Sequence, residues 1–165
     1  MKSFIDIREL DILKYLEENK DKKLILFHQT NCFNTLGRAR GLAGVLDKKF
    51  IEIVQADQKT IKGDKEKLGT YIPVKISNNL TIVNLYGQYN YGMNPNIIYT
   101  DYVALKKAFD SAIDNLPMKE FDKILIPLYI GSGLANGDKN IILNDIIWKK
   151  LISSGLIFDA IFFYN

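Results

Sequence analysis

Short apolar runs alternate with amphipathic stretches along the 165 residues, and this alternation predicts the secondary structure. Runs of four to nine residues rich in Ile, Leu, Val and aromatic side chains are typical of buried strands. Six such runs are "SFIDI" (3–7), "KLILFH" (23–28), "YIPVKIS" (71–77), "LTIVNLYG" (80–87), "KILIPLY" (123–129) and "LIFDAIFFY" (156–164). Asn78 and Asn79 separate the third run from the fourth, which predicts a β-hairpin.

Four other stretches place apolar residues at helical spacing, namely 11–22, 41–50, 100–116 and 140–152. The clearest is "TDYVALKKAFDSAIDNL" (100–116), where Thr100 or Asp101 can cap the helix N-terminus. Strands that alternate with helices predict an α/β fold in which a mixed β-sheet lies between layers of helices. The length fits one domain, covering residues 1–165.

Two glycine-rich loops have the same setting, each between a predicted strand and a predicted helix. They lie in "ILFHQTNCFNTLGRARGLAGVL" (25–46) and "IPLYIGSGLANGDKNIILNDIIW" (126–148). In open α/β sheets this position is the carboxyl edge of the strands, where ligands bind. Glycine lets a ligand approach the main chain, and backbone N–H groups and a helix N-terminus attract anions. The pair indicates a diphosphate held from two sides, and simple tight turns are the alternative.

The common nucleotide-binding signatures do not fit these loops. No Gly-Lys-Ser/Thr is present, which excludes a P-loop. Glycines 131, 133 and 137 are spaced G-x-G-x-x-x-G, and too little chain follows them for the acidic strand of a dinucleotide-binding fingerprint. A generic nucleotide-binding domain, which would prefer ATP or NAD, is therefore a remote interpretation.

Composition narrows the setting in which the protein works. The net charge of +3 arises from interleaved signs, which indicates a solvated surface more than a nucleic-acid footprint. Cys32 is the single cysteine, so no intramolecular disulfide can form and a reducing compartment is expected. The first ten residues lack the apolar core of a signal peptide, and no run approaches the length of a membrane span. We therefore expect a cytoplasmic protein with no membrane partner.

Several segments resemble the macro domain family, in the family's order. "LILFHQTNC" (24–32) and "LGRARGLA" (36–43) resemble its first phosphate-side loop, and "IPLYIGSGLANGD" (126–138) its second. "IVNLYGQ" (82–88) and "TDYVALKKAF" (100–109) resemble the strand and helix between them. The resemblance implies a three-layer α/β/α macro domain with a central mixed β-sheet. It further implies a monomer that binds ADP-ribose or an ADP-ribosyl derivative, with no cofactor and no metal, and with nucleic acid as a partner only where it is ADP-ribosylated.

The similarity is greatest to the stand-alone branch of ADP-ribose-1''-phosphate phosphatases and phage or bacterial ADP-ribosyl hydrolases. Hydrolysis of a terminal ADP-ribosyl derivative is therefore the favoured activity, and a non-catalytic ADP-ribose reader or sponge is the alternative. The sequence departs from the family pattern in the first loop, where two extra residues and the arginines Arg38 and Arg40 occur. In the second loop Ser132 replaces a cysteine, and Ala135 stands where one hydrolase branch has an aspartate. These departures leave the leaving group open.

The resemblance also assigns roles to individual residues. Asp11 and Ile12 match the adenine contact, although Asp11 could equally be a plain helix N-cap. Asn31 matches the contact to the distal ribose, and the alternative interpretation is an asparagine whose side chain bonds the backbone of its own turn. His28 is a candidate general acid or base and Asn31 its catalytic partner, whereas a core histidine is the plainer interpretation of His28. The remaining ligand-binding candidates are Gly37, Gly41, Leu42, Ala43, Ile130, Gly131, Ser132, Gly133, Leu134 and Ala135.

Three further features favour structural roles. Cys32 is predicted to be a small buried hydrophobe. Its place next to Asn31 does not indicate a cysteine–histidine pair, because adjacent residues on a strand face opposite sides of the sheet. Trp148 lies among apolar residues of the last predicted helix, which indicates core packing. The tyrosines of "YGQYNYGMNPN" (86–96) either shield a diphosphate or stack on a base, or they belong to a simple turn.

Overall fold

A single six-stranded β-sheet runs through the centre of the protein. The computed structural model describes residues 3–9 and 11–164, with no account of the Tyr164 side chain. The strand order is β1-β6-β5-β2-β4-β3. The strands are β1 (Phe4–Glu9), β2 (Leu24–Asn31), β3 (Tyr71–Ser77), β4 (Leu80–Gln88), β5 (Lys123–Pro127) and β6 (Asp159–Tyr164).

The sheet is mixed, as predicted, because one hairpin reverses its last strand. In the order of the sheet, the pairs β1–β6, β6–β5, β5–β2 and β2–β4 are parallel, and the last pair, β4–β3, is antiparallel. That pair is the predicted hairpin turning at Asn78 and Asn79. Since the parallel strands share a direction, β1, β2, β4 and β5 end at the same edge of the sheet, where the two glycine loops begin.

Helices cover both faces of the sheet. They are α1 (Ile12–Glu18), α2 (Gly41–Lys49), α3 (Ile51–Gln58), α4 (Tyr102–Asn115), α5 (Lys139–Ile141) and α6 (Lys149–Ser153). A π-helical segment, Ile142–Trp148, joins α5 to α6 without a break. Asp101 caps α4 by accepting from the Ala104 N–H at 2.9 Å, one of the two predicted capping choices. No helix in the described part of the chain is long and apolar enough to cross a membrane.

The core is divided by the sheet into two layers, which makes the fold three-layered. On β2, Ile25 and Phe27 point to α4 and the last helix, whereas Leu24 and Leu26 point to α1, α2 and α3. This alternation follows from the two-residue period of a strand. Fully burying a side chain such as Phe27 contributes about 1.5–3 kcal/mol. Both faces of β2 are buried, which explains its continuous apolar run.

The last helix confirms one predicted packing residue. Trp148 ends the π-helical segment, and its ring stacks on Phe162 with centroids 5.4 Å apart. It packs against the core layer that faces α4. Trp148 therefore packs the last helix against β6, which is the structural role that its apolar neighbours indicated.

Candidate functional site

A cleft of about 650 Å³ opens at the carboxyl edge of the sheet. Asn31, Gln88 and Pro127, the last residues of β2, β4 and β5, all line it. Both glycine loops contribute to its walls. The predicted site residues that line the cleft are His28, Asn31, Gly41, Leu42, Ala43, Ile130, Gly131, Gly133, Leu134 and Ala135.

Asn31 fixes the start of the first loop, which connects β2 to α2. Its side-chain oxygen accepts from the Phe33 N–H at 2.9 Å, and its amide donates to the Thr35 hydroxyl at 2.7 Å. The asparagine thus bonds its own turn, which was one of the two interpretations of this residue. It also lines the cleft. These bonds hold the amide in one orientation at the floor of the site.

Asp47, on α2, holds the next part of the first loop. Its buried carboxylate accepts from the N–H groups of Gly37 at 2.8 Å and Ala39 at 3.1 Å. Gly37 has a φ of 103°, a conformation that favours glycine. Gly44 lies so close to the loop that a β-carbon there would overlap the Ala39 carbonyl. The loop is therefore bound tightly to the helix that it precedes.

The N-terminus of α2 lines the cleft and has no side-chain cap. Arg40 is the N-cap residue and offers no capping hydrogen bond, and the first helical bond runs from the Gly44 N–H to the Arg40 carbonyl. The preceding N–H groups, from Gly41 to Ala43, have no helical acceptor. They carry the positive end of the helix dipole, about half a unit charge.

The second loop, after β5, is held by bonds to the Gly131 carbonyl. That oxygen accepts from the Thr100 hydroxyl at 2.6 Å and from the Gly137 N–H at 2.9 Å. Gly131 has a φ of 69°, and a β-carbon on Gly137 would collide with the Gly131 carbonyl. Asn136 extends the support, since its amide donates to the carbonyls of Asn94 and Ile97 at 3.0 and 2.8 Å. Two of the glycines of "GSGLANG" are thus required by the turn itself.

The tip of the second loop presents bare main chain. Within residues 3–9 and 11–164, the N–H groups of Gly133, Leu134 and Ala135 donate to no acceptor. A β-carbon on Gly133 would meet nothing within 4 Å. A β-carbon on Gly41 would lie 3.9 Å from the Leu134 side chain, so the two loops face each other across the cleft. Such successive N–H groups form an anion-binding concavity.

A buried polar network supports the first loop from below. The Lys67 ammonium donates to the Asn34 side-chain oxygen at 2.5 Å and to the Thr60 hydroxyl at 2.7 Å. Asn34 has a φ of 54°, which these bonds help to hold. Nearby, the Tyr86 hydroxyl donates to Asp57 at 2.7 Å, and burial raises the pKa of the Asp57 carboxyl and of the Tyr86 phenol. Burial lowers the pKa of Lys67.

Comparisons with solved structures agree with this architecture. No family model matches the sequence, and no curated protein matches it either. A Bacteroides thetaiotaomicron protein of unknown function superposes with a TM-score of 0.75 at 20% identity, over 98% of both chains. The macrodomain of Mycobacterium tuberculosis DarG superposes with a TM-score of 0.71 at 14% identity, over 98% of this chain and 97% of that one.

The chain has the macrodomain fold. A third structure of this fold is Thermosipho africanus DarTG in complex with ADP-ribose, with a TM-score of 0.63 at 13% identity. The match covers 87% of this chain and 38% of that one. At such identities the comparisons establish the fold alone. They confirm the three-layer α/β/α architecture implied by the sequence resemblance.

Four of the predicted site residues do not line the cleft. Asp11 caps α1 through bonds from the N–H groups of Leu13 at 3.0 Å and Lys14 at 3.2 Å, and Ile12 is buried beneath it. The Gly37 N–H donates to Asp47, and Gly37 does not line the cleft. The Ser132 hydroxyl is buried and has no hydrogen-bond partner among the described residues. The N-cap interpretation of Asp11 is confirmed, and the adenine contact stays a prediction.

His28 lines the cleft but does not titrate near neutral pH, contrary to what its proposed acid–base role assumed. The side chain is 2% exposed, and its Nε2 lies 2.5 Å from the Asn84 side-chain oxygen. Burial lowers its pKa to about 4, against smaller opposing effects from Asn84 and Asp47. The imidazole is therefore neutral at pH 7, with Nε2 donating and Nδ1 available as an acceptor. This environment narrows any chemical role of His28 to accepting a hydrogen bond or proton through Nδ1.

Sequence reasoning missed several residues that complete the cleft. Gln29 donates from its amide to Gln88 at 2.9 Å, which ties β2 to β4, and to the Thr100 hydroxyl at 2.9 Å, which in turn donates to Gly131 of the second loop. The available signal for Gln29 was its place between His28 and Asn31, the two candidate residues at the carboxyl end of β2. Met93 and Tyr129 also line the cleft, as does Tyr91, one of the tyrosines of 86–96 for which the sequence allowed a ligand contact.

Two remaining predictions concern metal and thiol chemistry. The described residues contain no group of three or more His, Cys, Asp or Glu side chains that could hold a metal ion. Cys32 is fully buried, and burial raises the pKa of its thiol to about 11. The thiolate, which is the reactive form, is therefore scarce at neutral pH. Cys32 has the small-hydrophobe role that the sequence predicted.

Proposed function

We propose that this macrodomain binds ADP-ribose or the terminal ADP-ribosyl group of a larger molecule. The observation that carries the proposal is the pair of facing N–H rows, one at the start of α2 and one from Gly133 to Ala135. A diphosphate is a compact dianion with oxygens on two sides, so it can accept from both rows at once. The bound ADP-ribose of the Thermosipho neighbour supports this choice of ligand.

The order of the strands provides room for the rest of the ligand along the same edge. Asn31, with donor and acceptor atoms suited to ribose hydroxyls, is at the end of β2. The second loop follows β5, and Asp11 follows β1, two strands further along the sheet. In this arrangement the distal ribose lies near Asn31, the diphosphate between the loops, and the adenine beyond the cleft near Asp11 and Ile12.

Calorimetric titration tests the proposal. ADP-ribose is expected to bind with a dissociation constant in the micromolar range, about −8 kcal/mol. AMP should bind at least about tenfold more weakly, because it cannot place a second phosphate and a distal ribose between Gly133 and Asn31. Equal affinity for both nucleotides, or no heat with ADP-ribose, would contradict the proposed geometry.

Hydrolysis of the bound ADP-ribosyl group is a second candidate function. The substrate would be ADP-ribose 1''-phosphate or a conjugate from which ADP-ribose is released. The observation that favours it is His28, which lines the cleft three positions before Asn31 and whose buried Nδ1 bonds no described residue. A neutral imidazole in this setting can orient or deprotonate a water molecule near the distal ribose, with Asn31 positioning the sugar.

Product analysis separates the catalytic function from a reader. Incubation with ADP-ribose 1''-phosphate should release phosphate, and His28→Gln should slow this release about 10²–10⁴-fold while ADP-ribose affinity changes less than about threefold. Glutamine can still donate to Asn84, which protects the fold. If the wild type binds ADP-ribose and releases neither phosphate nor ADP-ribose from any derivative, the protein is a reader. Full activity in His28→Gln would remove His28 from the mechanism.

A further inference from the structure

Two arginines of the first loop are unused by the proposed diphosphate site. Arg38 and Arg40 both line the cleft and both are exposed. Among the described residues neither forms an ion pair with a carboxylate, and no Asp or Glu lines the cleft. The guanidinium of Arg40 contacts the Met93 sulfur at 2.8 Å, and Met93 is 60% exposed. This contact therefore lies at the exposed mouth of the cleft.

The backbone fixes where these two side chains start. The N–H groups of Gly37 and Ala39 donate to the buried Asp47 carboxylate, which fixes the backbone on either side of Arg38, and the side chains of Arg38 and Arg40 are exposed. The Arg38 N–H bonds the Thr35 carbonyl at 3.1 Å, and the Thr35 hydroxyl accepts from Asn31. Through Thr35 the backbone of Arg38 is anchored to the side of the cleft where the distal ribose is proposed to lie, and Arg40 follows two residues later on the same loop.

We infer that Arg38 and Arg40 form a second anion subsite, which selects ADP-ribosyl ligands carrying a further phosphate on the distal ribose. The inference rests on the proposed function, because the subsite is defined relative to bound ADP-ribose. A guanidinium binds phosphate through charge-assisted, often bidentate hydrogen bonds, and two of them line this cleft. An exposed pair without a carboxylate partner is available for such a ligand, whereas a ligand that ends in an uncharged group gains nothing from it.

The phosphate could be a terminal monoester or a diester that continues into an acceptor, and both present the same oxygens to the arginines. Two probes distinguish them. One is ADP-ribose 1''-phosphate, and the other is ADP-ribose joined through its distal ribose to methyl phosphate. Preference for the first assigns a terminal phosphate, and equal or greater affinity for the second assigns a bridging one.

The test compares these probes with ADP-ribose by competition, in a period too short for turnover. In the wild type, at least one phosphate-bearing probe should bind about tenfold or more tightly than ADP-ribose. The double substitution Arg38→Gln with Arg40→Gln should abolish this preference while ADP-ribose affinity falls less than about threefold. The matched control is Lys48→Gln with Lys49→Gln, which removes the same charge from the exposed far end of α2 and should keep the preference.

Three results would overturn the inference, and each differs from a failure of the proposed function. The wild type could bind ADP-ribose without any preference for a phosphate-bearing probe. The arginine double variant could retain the preference, or it could lose affinity for ADP-ribose and the probes equally, which would place the arginines on the diphosphate. Absence of ADP-ribose binding by the wild type would instead reject the proposed function itself.

Discussion

At the scale of single residues, His28 makes folding stability depend on pH. Its pKa is about 4 in the folded protein and about 6.5 in an unfolded chain, so the unfolded state binds the proton more readily. A depressed folded pKa gives stability that is present above the unfolded value and is lost as the pH falls toward the folded value. Between pH 7.5 and pH 5 this group alone should reduce the free energy of unfolding by about 2 kcal/mol.

Urea denaturation of the wild type and His28→Gln across this pH range measures the effect. Other groups, such as the buried Asp57, titrate in both proteins and cancel in the difference between them. The difference in unfolding free energy should therefore change by about 2 kcal/mol in the direction that disfavours the wild type at low pH. If the unfolding free energies of the two proteins changed with pH in parallel, the His28 imidazole would not be buried as the structure indicates.

Residue types alone could not reveal the environment of His28. The sequence placed it at the end of a buried strand, and both a core and a catalytic role were consistent with that position. The deciding partner, Asn84, is on β4, 56 residues away along the chain. Similarly, the carboxylate of Asp47 that holds Gly37 and Ala39 could not be assigned without the path of the loop.

At the scale of elements, the apolar pattern predicted all six strands and most helices, with boundaries displaced by a few residues. β2 continues three residues beyond the predicted end at His28, because Thr30 and Asn31 still pair with β4 despite being polar. The predicted helix from Gly41 ends at Lys49, and a second helix, α3, follows at Ile51. α3 escaped prediction because it buries only Ile53 and Asp57, which gives no helical repeat of apolar residues.

The π-helical segment was also beyond the reach of the sequence pattern. The predicted helix over 140–152 is present, but Ile142–Trp148 adopts the wider π geometry. The buried residues of this segment are Ile142, Leu143, Ile146 and Ile147, a spacing that an α-helix also produces, so the apolar pattern does not distinguish the two helix types. The second glycine loop was easier to predict from the sequence, because positive φ at Gly131 and close packing at Gly137 each require glycine. The φ angle of Gly133 is outside the left-handed region, so its backbone conformation does not require glycine. What the missing side chain provides there is space for a ligand.

At the scale of the whole molecule, the fold brings two loops nearly a hundred residues apart in sequence to one edge of the sheet. The macrodomain fold could be inferred from the order of the strands, helices and glycine loops. The width of the cleft and the direction of each N–H group could not, because they depend on bonds such as those of Thr100 and Gln29 to distant parts of the chain. The central claim is that one diphosphate bridges the two N–H rows.

Amide NMR during an ADP-ribose titration measures this claim most directly, and the protein's mass of 18.9 kDa suits the method. The matched variants are Gly133→Glu, whose carboxylate repels the diphosphate, and Gly133→Gln, of similar size without the charge; the open surroundings of Gly133 let both fold. In the wild type, the amides of residues 41–43 and 133–135 should shift together along one saturation curve. Gly133→Glu should abolish both sets of shifts, and Gly133→Gln should weaken binding less. Shifts confined to one loop, or unchanged binding by Gly133→Glu, would contradict the account.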